Sequence, residues 1–132
     1  MHLVLVGLSH KTAPVSVRER VAFSPEDQER ALLRLRKHED VKECLLLSTC
    51  NRTEILAVFE NGRVDPGLLI RFLSERKEIP EEEIRAHTYT FKDADAVEHI
   101  FRVCAGLDSM VVGETQITSQ VKDAYSMACS CR

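Results

Sequence analysis

The stretch VKECLLLSTCNRTEILAVFE, residues 41–60, decides how the rest of the chain is read. Val41 to Ser48 reads as a strand, and the unbroken Leu45, Leu46 and Leu47 suggest burial on both faces. Glu54 to Glu60 reads as the next strand, and Thr49 to Thr53 as a short polar connection. Two strands this close in sequence most simply pair as a hairpin. Asn61 and Gly62, just beyond, give a strong turn signal.

Upstream, HLVLVGL (residues 2–8) is β-rich and runs into a polar loop, Ser9 to Thr12, closed by Pro14. Ser24 can cap a helix, Pro25 fits its first turn, and acids follow. Ala31, Leu32 and Leu35 share one face of that helix, which should end near His38 to Asp40. Downstream, Asp65 and Pro66 open a second helix carried by Leu68, Leu69, Phe72 and Leu73, and Ala86 to Phe91 reads as a final strand. The order is strand, helix, strand, strand, helix, strand. This is the α+β, ferredoxin-like split βαβ sandwich, with the turn around Cys50 joining its second and third strands.

Two or more helices should follow. One begins at Asp93 or Asp95 and places Ala94, Val97, Ile100, Phe101 and Cys104 on one stripe. The last begins near Glu114 and is still running at Ala128. Residues 1–132 are therefore expected to form a single domain cut from something longer.

Hydrophobic residues make up 44% of the chain and charged residues 30%, the balance of an ordinary globular domain. No apolar run approaches the roughly 20 residues of a membrane helix, and the N-terminus lacks a secretory pattern, so a cytoplasmic protein is expected. A net charge of −3 argues against holding nucleic acid mainly by phosphate neutralisation, though a local contact stays open. The five cysteines are odd in number and include no CxxC pair, which does not suit a disulfide framework. Cys129 and Cys131 lack a partnering histidine cluster, so no metal is expected.

Cys44 alternates within its strand and Cys104 lies on an apolar helical stripe, so both read as core. Cys50 differs. Ser48, Thr49, Asn51 and Arg52 around it can donate hydrogen bonds, and Arg52 adds a positive charge. A cation and donors favour the thiolate, the nucleophilic form. A phosphatase loop would need arginine at position 56, where Leu56 stands. A papain-like enzyme needs its histidine and asparagine about 130–150 residues downstream, beyond this chain.

His2 and His38 read as surface positions, and His10 lies in the loop after the first strand. His99 falls off its helix's apolar stripe, so a solvated face is its default, with the Cys50 loop as the other possibility. Residues 106–117 combine two glycines with Asp108, Ser109, Glu114, Thr115 and Gln116 near a helix start, which reads first as an interhelical loop. The glycines are scattered singly, without a dinucleotide fingerprint.

Three blocks resemble the glutamyl-tRNA reductase family. They are GLSHKTAPV (7–15) with Arg18 and Glu19, STCNRTE (48–54), and GETQI (113–117) with QVKDAY (120–125). They stand in the family's order and span nearly the whole chain. The resemblance implies an N-terminal catalytic domain of an enzyme that reduces glutamyl-tRNA to glutamate-1-semialdehyde in tetrapyrrole synthesis. It implies NADPH and homodimerisation through downstream domains, and no metal. It makes Cys50 the nucleophile that attacks the aminoacyl ester and holds glutamate as a thioester, with His99 important for activity. It puts substrate contacts on Thr49, Asn51, Arg52, Ser109, Glu114, Thr115, Gln116 and Gln120. The family often has proline where Thr115 stands.

Arg52 could serve the thiolate or a substrate carboxylate, and the resemblance favours the carboxylate. Glu114 suits an α-ammonium, and His99 could orient the ester or protonate the leaving oxygen. Thr49 and Asn51 could steady an oxyanion. The rival reading is a non-catalytic ferredoxin-like module that binds RNA or a partner, with Phe59, Tyr89 and Phe91 as its strand aromatics. A redox-sensing thiol at Cys50 would need a resolving partner that the sequence does not offer.

Overall fold

The structure is a computed structural model that describes residues 1–60, 62–109 and 116–131. Four strands form one antiparallel sheet: β1 (His2–Ser9), β2 (Val41–Ser48), β3 (Arg52–Phe59) and β4 (Tyr89–Lys92). Their spatial order is β2-β3-β1-β4, the ferredoxin-like arrangement. The hairpin is tighter than expected. Arg52 and Thr53 already pair with β1 and β2, which leaves Thr49 to Asn51 as the turn.

Each expected crossover helix is a pair. Helix α1 (Val15–Val21) precedes α2 (Pro25–Arg36), and α3 (Pro66–Lys77) precedes α4 (Glu81–His87). Ser24 caps α2 by accepting a hydrogen bond from the Asp27 amide at 3.2 Å, as its sequence suggests. Helix α4 corrects the strand expected over 86–91, because Ala86 and His87 finish the helix and β4 starts at Tyr89. Pro80 followed by three glutamates in the first turn is a helix-start signal that outweighs the short apolar segment behind it.

Val4, Val6 and Leu8 of β1 alternate with residues of the other face, and with Leu46, Ile55, Ala57 and Phe59 they pack beneath α1, α2 and α3. Burying side chains such as Leu8, Ile55 and Phe59 stabilises the fold by about 1.5–3 kcal/mol each. The opposite face carries Leu45 and Leu47 under α6 (Gln116–Ser130), where Val103, Ile117 and Ala124 complete a smaller cluster. Helix α5 (Asp93–Cys104) lies over β1 and β4. No helix among the described residues is long and apolar enough to cross a membrane.

The stripe expected to anchor α5 does not. Ala96, His99 and Val103 face inward, while Val97 and Phe101 are exposed, Phe101 to 71%. The polar residue won the buried face because its partners are there. The imidazole of His99 stacks on Phe91 with centroids 4.7 Å apart, touches Tyr89 at 5.2 Å, and meets a buried carboxylate.

Candidate active site

The register of the sheet brings the site together. Gly7 of β1 lies opposite Glu54 on one side and Tyr89 on the other. Its missing side chain makes room, since a Cβ at Gly7 would stand 2.7 Å from Glu54 Cγ and 2.8 Å from the Thr53 carbonyl oxygen. Glu54 therefore runs across β1 towards β4 and α5. Its Oε1 accepts from Arg52 Nη1 at 3.0 Å, and its Oε2 accepts from the Tyr89 hydroxyl at 2.8 Å and from His99 Nε2. An ionised carboxylate only accepts, so His99 carries its proton on Nε2 in this arrangement.

Arg52, 2% exposed, is the hub of a second set of contacts. Its Nη2 donates to the Asp108 carbonyl at 2.6 Å and to Asp108 Oδ2 at 3.1 Å, and Lys11 Nζ pairs with Asp108 Oδ1 at 2.5 Å. Arg52, Glu54, Asp108 and Lys11 thus form one chain of charges, which His99 joins through its hydrogen bond to Glu54. Burial alone would raise the pKa of Glu54, but the hydrogen bond from His99 and the charge of Arg52 outweigh it and hold the carboxyl below its usual range. Burial opposes the charge of Arg52, whose pKa is nevertheless raised by Glu54 and Asp108. Tyr89 is pushed up, mainly by burial and then by the Glu54 charge, and stays a donor.

The turn directly precedes Arg52 in the chain. Thr49 Oγ1 accepts from the Asn51 amide at 3.1 Å and the Arg52 amide at 3.2 Å, and the Thr49 amide donates to the Arg52 carbonyl at 2.8 Å. These bonds fix the loop from inside and leave Cys50 exposed at its tip. The His10 amide donates to the Asn51 carbonyl at 2.8 Å and ties the end of β1 to the same turn.

Of the residues singled out in the sequence, Thr49, Cys50 and Asn51 form the turn, Arg52 begins β3 directly after it, and His99 is linked to Arg52 through Glu54. The solvated position expected for His99 is corrected: it is 8% exposed. Ser109 is half-buried and follows Asp108, the partner of Arg52. Gln116 and Gln120 are exposed on α6, and neither side chain hydrogen-bonds to the turn among the described residues. Glu114 and Thr115 lie outside the described residues.

Glu54, Tyr89 and Asp108 escaped the sequence reading. Only the glycine inside β1 and the same-face spacing of Arg52 and Glu54 signalled them. A groove of about 390 Å³ between α6 and the β2–β3 strands is lined by Leu45, Leu56, Tyr125 and Cys129, well apart from these residues. Among the described residues no His, Cys, Asp and Glu cluster suits a metal ion. Among the described residues the sheet is all-antiparallel and has no glycine-rich strand-to-helix turn, which does not fit a nicotinamide dinucleotide either.

Fold and site define a class: a ferredoxin-like α+β domain with a cysteine displayed on a hairpin, braced by a buried charge network. The chain belongs to the family described as glutamyl-tRNAGlu reductase, N-terminal domain, whose profile matches residues 6–132. It is 47% identical to the glutamyl-tRNA reductase of Pelobacter propionicus over 132 residues, covering 100% of this chain and 30% of the relative. The Synechococcus elongatus glutamyl-tRNA reductase is 46% identical over 129 residues, 96% of this chain and 29% of its own. The solved glutamyl-tRNA reductase from Methanopyrus kandleri superposes with a TM-score of 0.73 at 31% identity, over 98% of this chain and 28% of that one. The chain spans less than a third of the length of these relatives.

Proposed function

We propose that this chain is the catalytic N-terminal domain of a glutamyl-tRNA reductase and performs its acyl-transfer half-reaction. The observation that carries the reading is the exposed Cys50 on a turn hydrogen-bonded from inside by Thr49, two residues before Arg52 of the buried Arg52–Glu54–His99 network. Cys50 gives up its thiol proton and attacks the ester carbonyl of glutamyl-tRNA as the thiolate. The bond from that carbon to the ribose oxygen breaks, the oxygen takes up the proton and leaves as the tRNA hydroxyl, and glutamate remains as a thioester. Thioesters accept hydride more readily than free carboxylates, which gives the covalent step its purpose.

Rigid placement of the nucleophile supplies the orientation part of the rate. Glu54 holds the ring of His99 with its proton on Nε2, which leaves Nδ1 as a lone-pair nitrogen able to take the Cys50 thiol proton and pass it to the leaving oxygen. Arg52 presents a guanidinium fixed from two sides for a substrate carboxylate, with Ser109, Gln116, Gln120, Glu114 and Thr115 as further substrate contacts. Thr49 and Asn51 frame the developing oxyanion. The NADPH reduction and homodimerisation are assigned to the part of such reductases beyond this chain. A cytoplasmic location goes with a tRNA substrate.

The rival, a sheet that reads RNA through exposed aromatics, is disfavoured. Phe59 is buried in the core, and Tyr89 and Phe91 pack against His99 of α5. The test is transfer of radiolabelled glutamate from glutamyl-tRNA to acid-precipitated protein. Label released by neutral hydroxylamine and absent from Cys50→Ser supports the reading, and equal label in Cys50→Ser would refute it.

A further inference from the structure

The side chains of His10 and Arg18 stand outside the Arg52–Glu54–His99 network. Yet among the described residues the only buried side-chain polar atoms without a hydrogen-bond partner are His10 Nδ1 and Arg18 Nε. Both residues grip the amino acid after Cys50: the His10 amide donates to the Asn51 carbonyl, and Arg18 Nη1 reaches Asn51 Oδ1 at 3.5 Å. Buried polar atoms are nearly always satisfied; Arg18 Nε can only donate, so beside this turn it points to a missing acceptor, which His10 Nδ1 shares in the tautomer that carries its proton there.

Charge points the same way. Lys11 is paired with Asp108, and Arg52 with Asp108 and Glu54, whereas Arg18 makes no ion pair among the described residues. Arg18 also comes from the other side of the sheet. Helix α1 packs with the main core through Val17 and Val21, while His99 and Glu54 belong to the opposite face. An aminoacyl ester has two ends. With the acyl part over the Arg52–His99 side, the ribose and its phosphate fall on the α1 side of Cys50.

We propose that Arg18 and His10 form an anion notch against the Cys50 turn, which takes a phosphodiester near the 3′ end of the RNA that carries the glutamyl ester. This rests on the acyl-transfer reading above. A phosphodiester supplies one negative charge and several acceptor oxygens, matching one uncommitted guanidinium and one imidazole. Burial, and then the charges of Arg52, Lys11 and Arg18, keep the pKa of His10 below its ordinary value, so its ring is neutral near pH 7 and contributes a hydrogen bond rather than a charge. A single local contact of this kind is also compatible with the net charge of −3.

The test measures binding of deacylated glutamate tRNA to the 132-residue chain across a salt series, for wild type, Arg18→Gln and Arg18→Lys. The slope of log K against log salt should fall in magnitude by about 0.7 in Arg18→Gln, so that wild-type binding weakens roughly threefold more than the variant's between about 50 and 200 mM salt. Arg18→Lys should keep the wild-type slope. Circular dichroism melts show that each variant is folded. An unchanged slope in Arg18→Gln overturns the proposal, whether or not Cys50 is acylated. So does a slope lost equally in Arg18→Lys, which would mark a structural role. NADPH binding that depends on Arg18 while the tRNA slope does not would also overturn it, by naming a different anion. Acylation of Cys50 by a nucleotide-free glutamyl ester is measured in parallel. Its failure beside a normal loss of slope removes the acyl chemistry and leaves the notch standing.

Discussion

Glutamine in place of Glu54 should destabilise the domain more than any surface charge change, because one buried carboxylate serves three donors. Arg52 Nη1, the Tyr89 hydroxyl and His99 Nε2 all point at its two oxygens, and the residue is 3% exposed. A glutamine amide offers one acceptor and turns the other position into a donor. Whichever way it is flipped, an N–H meets either the guanidinium or the imidazole and hydroxyl pair. Removing one partner of a buried ion pair costs about 3–5 kcal/mol. Asp108 keeps its two contacts to Arg52 Nη2, so the lower end, about 3 kcal/mol, is expected.

With an unfolding entropy of about 2.1 cal/mol/K per residue over 132 residues, that loss lowers the melting midpoint by roughly 10 °C. The pH dependence has a definite sign. The folded pKa of Glu54 is depressed, so its stabilisation is fully present above the unfolded glutamate value of about 4.3 and disappears as pH falls through the folded value. The gap between wild type and Glu54→Gln should therefore be widest near pH 7 and close in acid. Circular dichroism melts from pH 7 to 3 measure it. Equal midpoints at pH 7, or a gap that does not narrow with acid, would refute the role given to this carboxylate.

Gly7→Ala should cost about 1–3 kcal/mol and push Glu54 aside, because the new methyl has nowhere to go between Glu54 and the Thr53 carbonyl. A melt near that of wild type would contradict it. His99→Asn should slow glutamyl transfer in single-turnover assays and also lower stability, since the ring it removes stacks on Phe91; an unchanged transfer rate would take His99 out of the reaction. In the native chain at pH 8, iodoacetamide should modify Cys50 well before Cys44. The Cys44 thiol is buried in the core and its pKa is raised by burial to about 11. Denaturation should abolish the difference.

The order of strands and the hairpin were legible because the apolar runs around residues 41–60 are long and the turn residues unambiguous. Helix α4 was not, since a Pro and glutamate start competes with a short apolar segment that reads equally well as strand. Helix α5 failed for a deeper reason. Periodicity assigns burial to the most apolar face, but Phe101 was left in solvent because Glu54, Tyr89 and Phe91 together make a better partner for a histidine. Such a choice depends on residues that are distant in sequence and meet only through the β1–β3 and β1–β4 registers. For the candidate site, the exposed position of Cys50 could be read locally. The dual pairing of Arg52 could not, because Asp108 reaches it across 56 positions of sequence.

Cys50 carries the proposed reaction. The most direct measurement mixes the chain with glutamyl-tRNA, quenches in acid and maps glutamyl adducts by peptide mass spectrometry. A glutamyl group on Cys50, and on none of Cys44, Cys104, Cys129 or Cys131, is the predicted result. A folded protein that carries no adduct on Cys50 at saturating glutamyl-tRNA, or carries it equally on another cysteine, would contradict the central claim.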